Sequence, residues 1–301
     1  MFDEQPNLIQ EYEFSEEDDW PWEKRRRAPV PLFLIHDGGG TIFSYYCLRE
    51  LDRPVYGIAN PNFDSGAAWA GGIPEMARHY RAFIRSALPS GGDVIVGGWS
   101  LGGLISLEIA HQIAEEARRS PPGEPRLRVV GIVMVDSVCP VIGTASWRPI
   151  VEHNIVWSEN TREETKQKVM RCFSEALRMV REWKLPDWEG EEGEEGERGE
   201  EGDDGERAPP PLRPPPVVLL RALECVPEPG EGLSRVDVYR SDPQLGWGLY
   251  RKDLIAKVID IPGHHFNLFH TEENLDATTE AIKKACREIE MRANFGSHTS
   301  E

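Results

Sequence analysis

The sequence predicts an α/β protein with a mostly parallel central sheet and helices on both faces. Three observations carry this reading. Between residues 30 and 136, short apolar runs alternate with helix-length amphipathic stretches, the β-α-β-α-β rhythm of parallel strands joined by crossover helices. Runs such as Val94-Ile95-Val96 and Ile132-Val133-Met134-Val135 are continuously apolar, which suits strands buried on both faces. The first of these leads into Gly98-Trp99-Ser100-Leu101-Gly102, after which Leu104, Leu107 and Ala110 recur at helical spacing. Strand, tight turn and helix form the context in which a G-x-S-x-G motif exposes its serine. The glycines on either side lack the Cβ that would keep strand and helix apart.

Each element follows in order. Residues 1–29 read as an acidic tail or linker with Trp20 and Trp22 embedded. A strand over 29–36 runs into the glycine loop Asp37-Gly38-Gly39-Gly40, and a helix begins near Ser44. A strand over 55–59 precedes a helix over 73–88 with Met76, Tyr80, Phe83 and Ala87 on one face. The strand at 94–97 and its turn feed a helix to about Arg119, which the prolines at 121, 122 and 125 end. The strand over 128–135 delivers Asp136 at its C-terminal end.

The rhythm then breaks. Residues 138–216 offer no convincing strand, but 161–184 reads as a helix with Val169, Phe173, Leu177 and Val180 at steps of three and four. Residues 189–206 are a Glu/Gly repeat that cannot bury enough apolar surface to offset chain entropy, and they read as disordered. The proline run over 209–216 is a stiff spacer. The sheet resumes at 217–222 and ends with a strand over 254–261, or with a helix end leading into a strand from Lys257, and a helix over 275–291 closes the chain. The expected organisation is one domain over 30–296. An insertion at 138–216, carrying the disordered Glu/Gly/Pro-rich part at 189–216, lies where a lid excludes water from a site.

Charge and cysteine usage narrow the function classes. The net charge of −18 is concentrated: 189–207 carries −9 and 1–27 carries −5, which leaves about −4 for everything else. No basic stripe points to nucleic acid, and the single basic run, Lys24-Arg25-Arg26-Arg27, suits a solvated linker. Five irregularly spaced cysteines fit free thiols in a reducing compartment. With neither an apolar leader nor a membrane-length run, the expected location is cytoplasmic.

A serine nucleophile needs a base, and the base needs an orienting acid. Among eight histidines, His265 is preferred because it falls just past the final strand. Its neighbour His264 must point the other way if the chain there is extended. His36 reads as a strand-end residue near the site. For the acid, Asp136 ranks first because a strand C-terminus lies on the catalytic edge of a parallel sheet. Asp237 comes next, with Asp242 also following the later strand and Asp260 read as a cap. The chain order Ser…Asp…His is that of the α/β-hydrolase arrangement. The developing oxyanion needs two donors. They are read as the backbone N–H of Leu101, after the serine, and one from the glycine loop, Asp37 or Gly38, of which Gly38 is chosen. No lysine follows those glycines, so a phosphate cradle is a poor reading.

These same stretches carry a family resemblance. Leu34-Ile-His-Asp-Gly-Gly-Gly, Gly97-Gly-Trp-Ser-Leu-Gly-Gly, Val133-Met-Val-Asp-Ser137 and Pro262-Gly-His-His-Phe-Asn-Leu-Phe resemble the thioesterase domains of polyketide and nonribosomal peptide synthases, most of all fungal and stand-alone members. The resemblance spans about residues 30–290, with the insertion poorly matched. It implies Asp136 as the acid and His265 as the base. It also implies release, by hydrolysis or cyclisation, of an acyl chain held as a thioester on the phosphopantetheine arm of a carrier protein, with no cofactor of the enzyme's own. Residues 1–29 are too short to fold as a carrier domain, so the expected partner is an acyl or peptidyl carrier acting in trans. The rival readings are a carboxylesterase or lipase on the same scaffold and a non-catalytic interaction module.

Overall fold

The computed structural model describes residues 5–12, 28–121, 123, 125–141, 147–148, 155, 157, 159–188, 212–227 and 233–296. Its strands are β1 (Asn7–Gln10), β2 (Leu32–Ile35), β3 (Val55–Ile58), β4 (Gly92–Trp99), β5 (Leu127–Val135), β6 (Trp147–Arg148), β7 (Val217–Glu224), β8 (Leu233–Ser234) and β9 (Ile255–His264). Its helices are α1 (Phe43–Tyr46), α2 (Gly72–Ala87), α3 (Leu101–Arg119), α4 (Glu163–Glu182) and α5 (Glu272–Gly296). Seven strands form one sheet in the order β1-β3-β2-β4-β5-β7-β9. All pair in parallel except the edge strand β1, which runs antiparallel to β3.

Both sheet faces are covered, as the continuously apolar strands require. Along β2, Phe33 and Ile35 join the core with α2 and α3, while Leu32 and Leu34 join the one with α5. This alternation is the strand's period of two. The register brings the C-terminal ends of the central strands abreast: Ile35 pairs with Gly98, Trp99 with Val135, and Val135 with Leu220. The residues that leave these strands therefore share one rim.

The element pattern matches the sequence reading closely, with four departures. Residues 7–10, read as part of a tail, form β1 against β3. The strand expected over 254–261 continues to His264 through Pro262, which an edge strand tolerates because its outer N–H groups need no partner. The short parallel pair β6 and β8 joins Trp147 to Leu233 and Arg148 to Ser234, with β6 in the insertion, where no strand was expected, and β8 beyond it. The closing helix starts at Glu272 and reaches Gly296. Trp20, Trp22 and the Glu/Gly run lie outside the described residues, as do residues 209–211 of the proline run. The described stretch 212–216 leads into β7, and Pro216 accepts a hydrogen bond from the N–H of Ile132.

Candidate active site

The turn between β4 and α3 holds Ser100 at φ 56°, ψ −115°, a left-handed backbone costly for a residue with a Cβ and typical of a functional constraint. A Cβ on Gly98 would lie 2.4 Å from the carbonyl oxygen of Ile35, and one on Gly102 would lie 2.3 Å from the same atom. Both obstacles are backbone, so neither can yield cheaply. Gly102→Ala is expected to destabilise the fold by about 2 kcal/mol, the usual scale of overpacking. A lower urea midpoint at unchanged slope is the check. Tyr45 of α1 braces the same region. Its hydroxyl donates to the carbonyl of Ile35 at 2.7 Å and accepts from the N–H of Trp99 at 2.9 Å.

His265 follows β9 directly and is buried, as is Asp136 beyond β5. The imidazole Nε2 lies 3.1 Å from Ser100 Oγ, and Nδ1 lies 2.8 Å from Asp136 Oδ2. An Nδ1–H donating to the carboxylate leaves Nε2 to accept from the serine hydroxyl. Trp99 and Phe266 flank the ring. Burial alone would raise the Asp136 carboxyl, but hydrogen bonds from Arg240 and His265 outweigh it and hold the group at about 2. The carboxylate is thus ionised wherever the imidazole can act as a base. Ser100, Asp136 and His265, distant in sequence, come together as the sequence reading expects.

The other candidates are placed elsewhere. Asp237 is buried but bonds the N–H of Val226 and the Arg240 guanidinium, not His265. Asp242 caps its own turn, accepting from the N–H groups of Gln244 and Gly246. Asp260 pairs with Arg221 at the surface. His264 faces Glu224 across the β7–β9 pairing. His36 bonds the carbonyl of Asp37 and the Tyr80 hydroxyl, and burial lowers it to about 4, so it sits neutral behind the loop. Sequence reasoning missed Arg240. It meets Asp136 only through tertiary folding, and nothing in its local sequence marks it.

Ser100 opens into a cavity of about 240 Å3 lined also by Gly38, Leu101 and His265. Its far wall is α4, through Met170, Phe173, Leu177 and Val180, with Arg235 at the side. The glycine loop passes close beneath that helix: a Cβ on Gly38 would lie 2.8 Å from the ring of Phe173. Leu101 begins α3, where the first backbone N–H groups have no partner within the helix. Asp37 shapes the loop by accepting the N–H of Gly39 at 3.0 Å, an Asx-type turn. Burial pushes its carboxyl up to about 7, against the opposing pull of the backbone N–H groups of Gly39, Asp37 and Gly40. A carboxyl raised in the folded state favours folding fully below its ordinary value near 3.8. That advantage is lost as pH rises toward 7. Asp37→Asn is therefore expected to gain Tm over the parent chain as pH goes from 4 to 7 and to hold that gain above 7. Parallel melting curves across this range are the check.

Among the described residues no group of three or more His, Cys, Asp or Glu side chains could hold a metal ion, and no helix is long and apolar enough to cross a membrane.

Comparison with known proteins agrees with this geometry. A family model described as a thioesterase domain matches residues 30–151. The chain is 36% identical over 282 residues to the probable thioesterase gloN of Glarea lozoyensis, covering 89% of this chain and 94% of that protein. It is 32% identical over 275 residues to the nonribosomal peptide synthetase imqB of Aspergillus flavus, covering 86% of this chain and 8% of the synthetase. Among solved structures, the NocB thioesterase domain from the nocardicin cluster superposes with a TM-score of 0.57 at 22% identity, covering 86% of this chain and 94% of that one. This places the sheet and its flanking helices in the α/β-hydrolase fold. With a full-length relative above one-third identity and the nucleophile turn inside the matched region, the chain belongs to the thioesterase family.

Proposed function

We propose that this protein is a serine thioesterase that releases an acyl chain from the phosphopantetheine arm of a carrier domain in polyketide or peptide biosynthesis. In this reading His265 Nε2 takes the proton of Ser100, and Oγ bonds to the thioester carbonyl carbon. The N–H groups of Gly38 and Leu101 hold the oxyanion. When the carbon–sulfur bond breaks, the imidazolium returns its proton to the leaving thiol. Water, or a nucleophile within the acyl chain, then attacks the ester on Ser100 and regenerates the hydroxyl. Asp136 holds the imidazole in the required tautomer and offsets its transient charge. No cofactor takes part.

The observation that carries the reading is the unbroken hydrogen-bond chain from Ser100 through His265 to Asp136, opening into an apolar cavity. The match to one segment of a much longer synthetase supports a carrier-bound substrate, and the full-length match to a stand-alone relative supports a carrier supplied in trans. The described parts of the 138–216 insertion then act as the lid of the hydrolase unit over 30–296, with α4 as its covering helix, and 1–29 is an acidic extension that contributes the edge strand β1. Five free cysteines, two exposed and three buried, suit a cytoplasmic setting.

The test compares kcat/KM for an acyl chain loaded on a carrier domain with that for the p-nitrophenyl ester of the same acid. The carrier thioester is expected to be preferred by roughly a hundredfold, because contacts remote from the reacting carbon contribute to the transition state. Preference for the oxygen ester would make the protein a carboxylesterase. Turnover of neither would make it a binding module.

A further inference from the structure

Behind the serine–histidine–aspartate chain lies a second, fully bonded layer. Asp136 is 0% exposed, Asp237 2% and Arg240 8%. The guanidinium grips Asp136 with both arms, Nη1 to Oδ1 at 2.5 Å and Nη2 to Oδ2 at 2.8 Å. Its remaining N–H groups go to the carbonyl of Ala222 at 2.8 Å, the carbonyl of Val236 at 3.0 Å and Asp237 Oδ1 at 2.9 Å. All five donors of the fork are thereby used. Asp136 Oδ1 also accepts the N–H of Ala222 at 2.9 Å, and Asp237 Oδ2 accepts that of Val226 at 2.7 Å. Each carboxylate oxygen is therefore tied to a named donor.

Two physical consequences follow. A bidentate guanidinium fixes the plane of the carboxylate, so Oδ2, which accepts from Nη2, keeps its second lone pair on His265 Nδ1. But a cation in direct contact also cancels the charge that should stabilise the imidazolium during proton abstraction. Asp237, on the opposite side of Arg240, restores it. The buried Asp136–Arg240–Asp237 unit carries one net negative charge, and the imidazolium brings the cluster to neutrality.

We propose that Arg240 and Asp237 are positioning residues for this reaction, Arg240 aiming the triad carboxylate and Asp237 supplying the net negative charge that Arg240 would otherwise remove. The proposal rests on the reading of Ser100, His265 and Asp136 as the reacting groups. It gives a role to Asp237, which stands where many α/β-hydrolases place the acid itself yet does not touch the histidine. The other charged or titratable groups around the imidazole are His264 on β9, Glu224 on β7 facing His264, Arg235 and Cys139 on the cavity wall, and Asp37 beside Gly38 in the glycine loop. All five are unchanged in the variants below.

The test uses the full chain and the rate at which a fluorophosphonate labels Ser100, measured from pH 5 to 9. In Asp237→Asn the imidazolium loses its net counter-charge. The acid limb of the rate profile is expected to move down by roughly one pH unit, as a buried charge lost at an effective dielectric near 20 implies. The plateau rate should fall about tenfold, because less transition-state charge is compensated. Asp237→Glu should bring the limb back. Arg240→Lys keeps the charge but not the fork. It should lower the plateau about tenfold through misaimed carboxylate oxygens and leave the limb where it was.

A limb midpoint does not depend on how much protein is folded, so loss of stability cannot imitate the shift. If Asp237→Asn yields no folded protein, the Arg240→Lys plateau, corrected by active-site titration, decides. A limb unmoved in Asp237→Asn, or a titrated plateau unchanged in Arg240→Lys, would overturn the proposal and leave the layer a purely structural role. Parent protein that is not labelled at Ser100 would instead overturn the triad reading beneath it.

Discussion

Ser100→Ala is expected to lower release of a carrier-bound acyl chain by about a hundred-thousand-fold while leaving the fold intact, the scale seen when a triad nucleophile is removed. The substitution deletes one oxygen. Alanine meets the same backbone penalty at φ 56° as serine does, so the turn keeps its shape. The cavity wall formed by Gly38, Leu101 and α4 is untouched, so the carrier-bound substrate should still bind. The expected signature is thus a collapse of kcat with little change in the affinity for loaded carrier and in Tm. A residual rate within tenfold of the parent would mean that the ordered serine is not the nucleophile.

Asp136→Asn is expected to cost about ten-thousand-fold in kcat, as in serine hydrolases whose orienting acid is made neutral. An asparagine NH2 placed against His265 Nδ1 favours the tautomer with its proton on Nε2, which then cannot accept from Ser100. The same change leaves Arg240 facing a neutral group in a buried site. Breaking a buried pair in this way costs roughly 3 kcal/mol or more, so the urea midpoint should fall as well. The two losses separate when kcat is expressed per folded molecule, the folded fraction being read from circular dichroism. Substituting Asp242, which caps a turn, should change kcat by less than about threefold. An equal collapse at Asp242 would contradict the assignment of the acid.

The nucleophile turn was legible because its signal is local. A buried strand, two glycines that backbone atoms crowd and a helical apolar repeat lie within about twenty residues. His265 was legible because it directly follows the last strand. The acid stayed open between Asp136 and Asp237 because sequence does not show what stands between a carboxylate and a histidine. Here it is Arg240, an ordinary arginine until the chain folds. The strand β1 was missed for a different reason. Asn7-Leu8-Ile9-Gln10 is four residues long in an acidic stretch, and only its antiparallel pairing with Val55, Tyr56 and Gly57 makes it a strand. Pro262 misled in the opposite sense, since it reads as a strand stop but lies within β9. The two-residue pair β6 and β8 is too short to leave a periodic signature at all.

The central claim is that acyl transfer passes through Ser100. The most direct test is rapid-quench intact-mass analysis of the parent protein mixed with an acyl-loaded carrier domain, followed by peptide mapping. The account predicts a transient species heavier by one acyl group, located on the peptide that contains Ser100. An acyl group found on another residue, or product formed at full rate with no such species and no effect of Ser100→Ala, would contradict it.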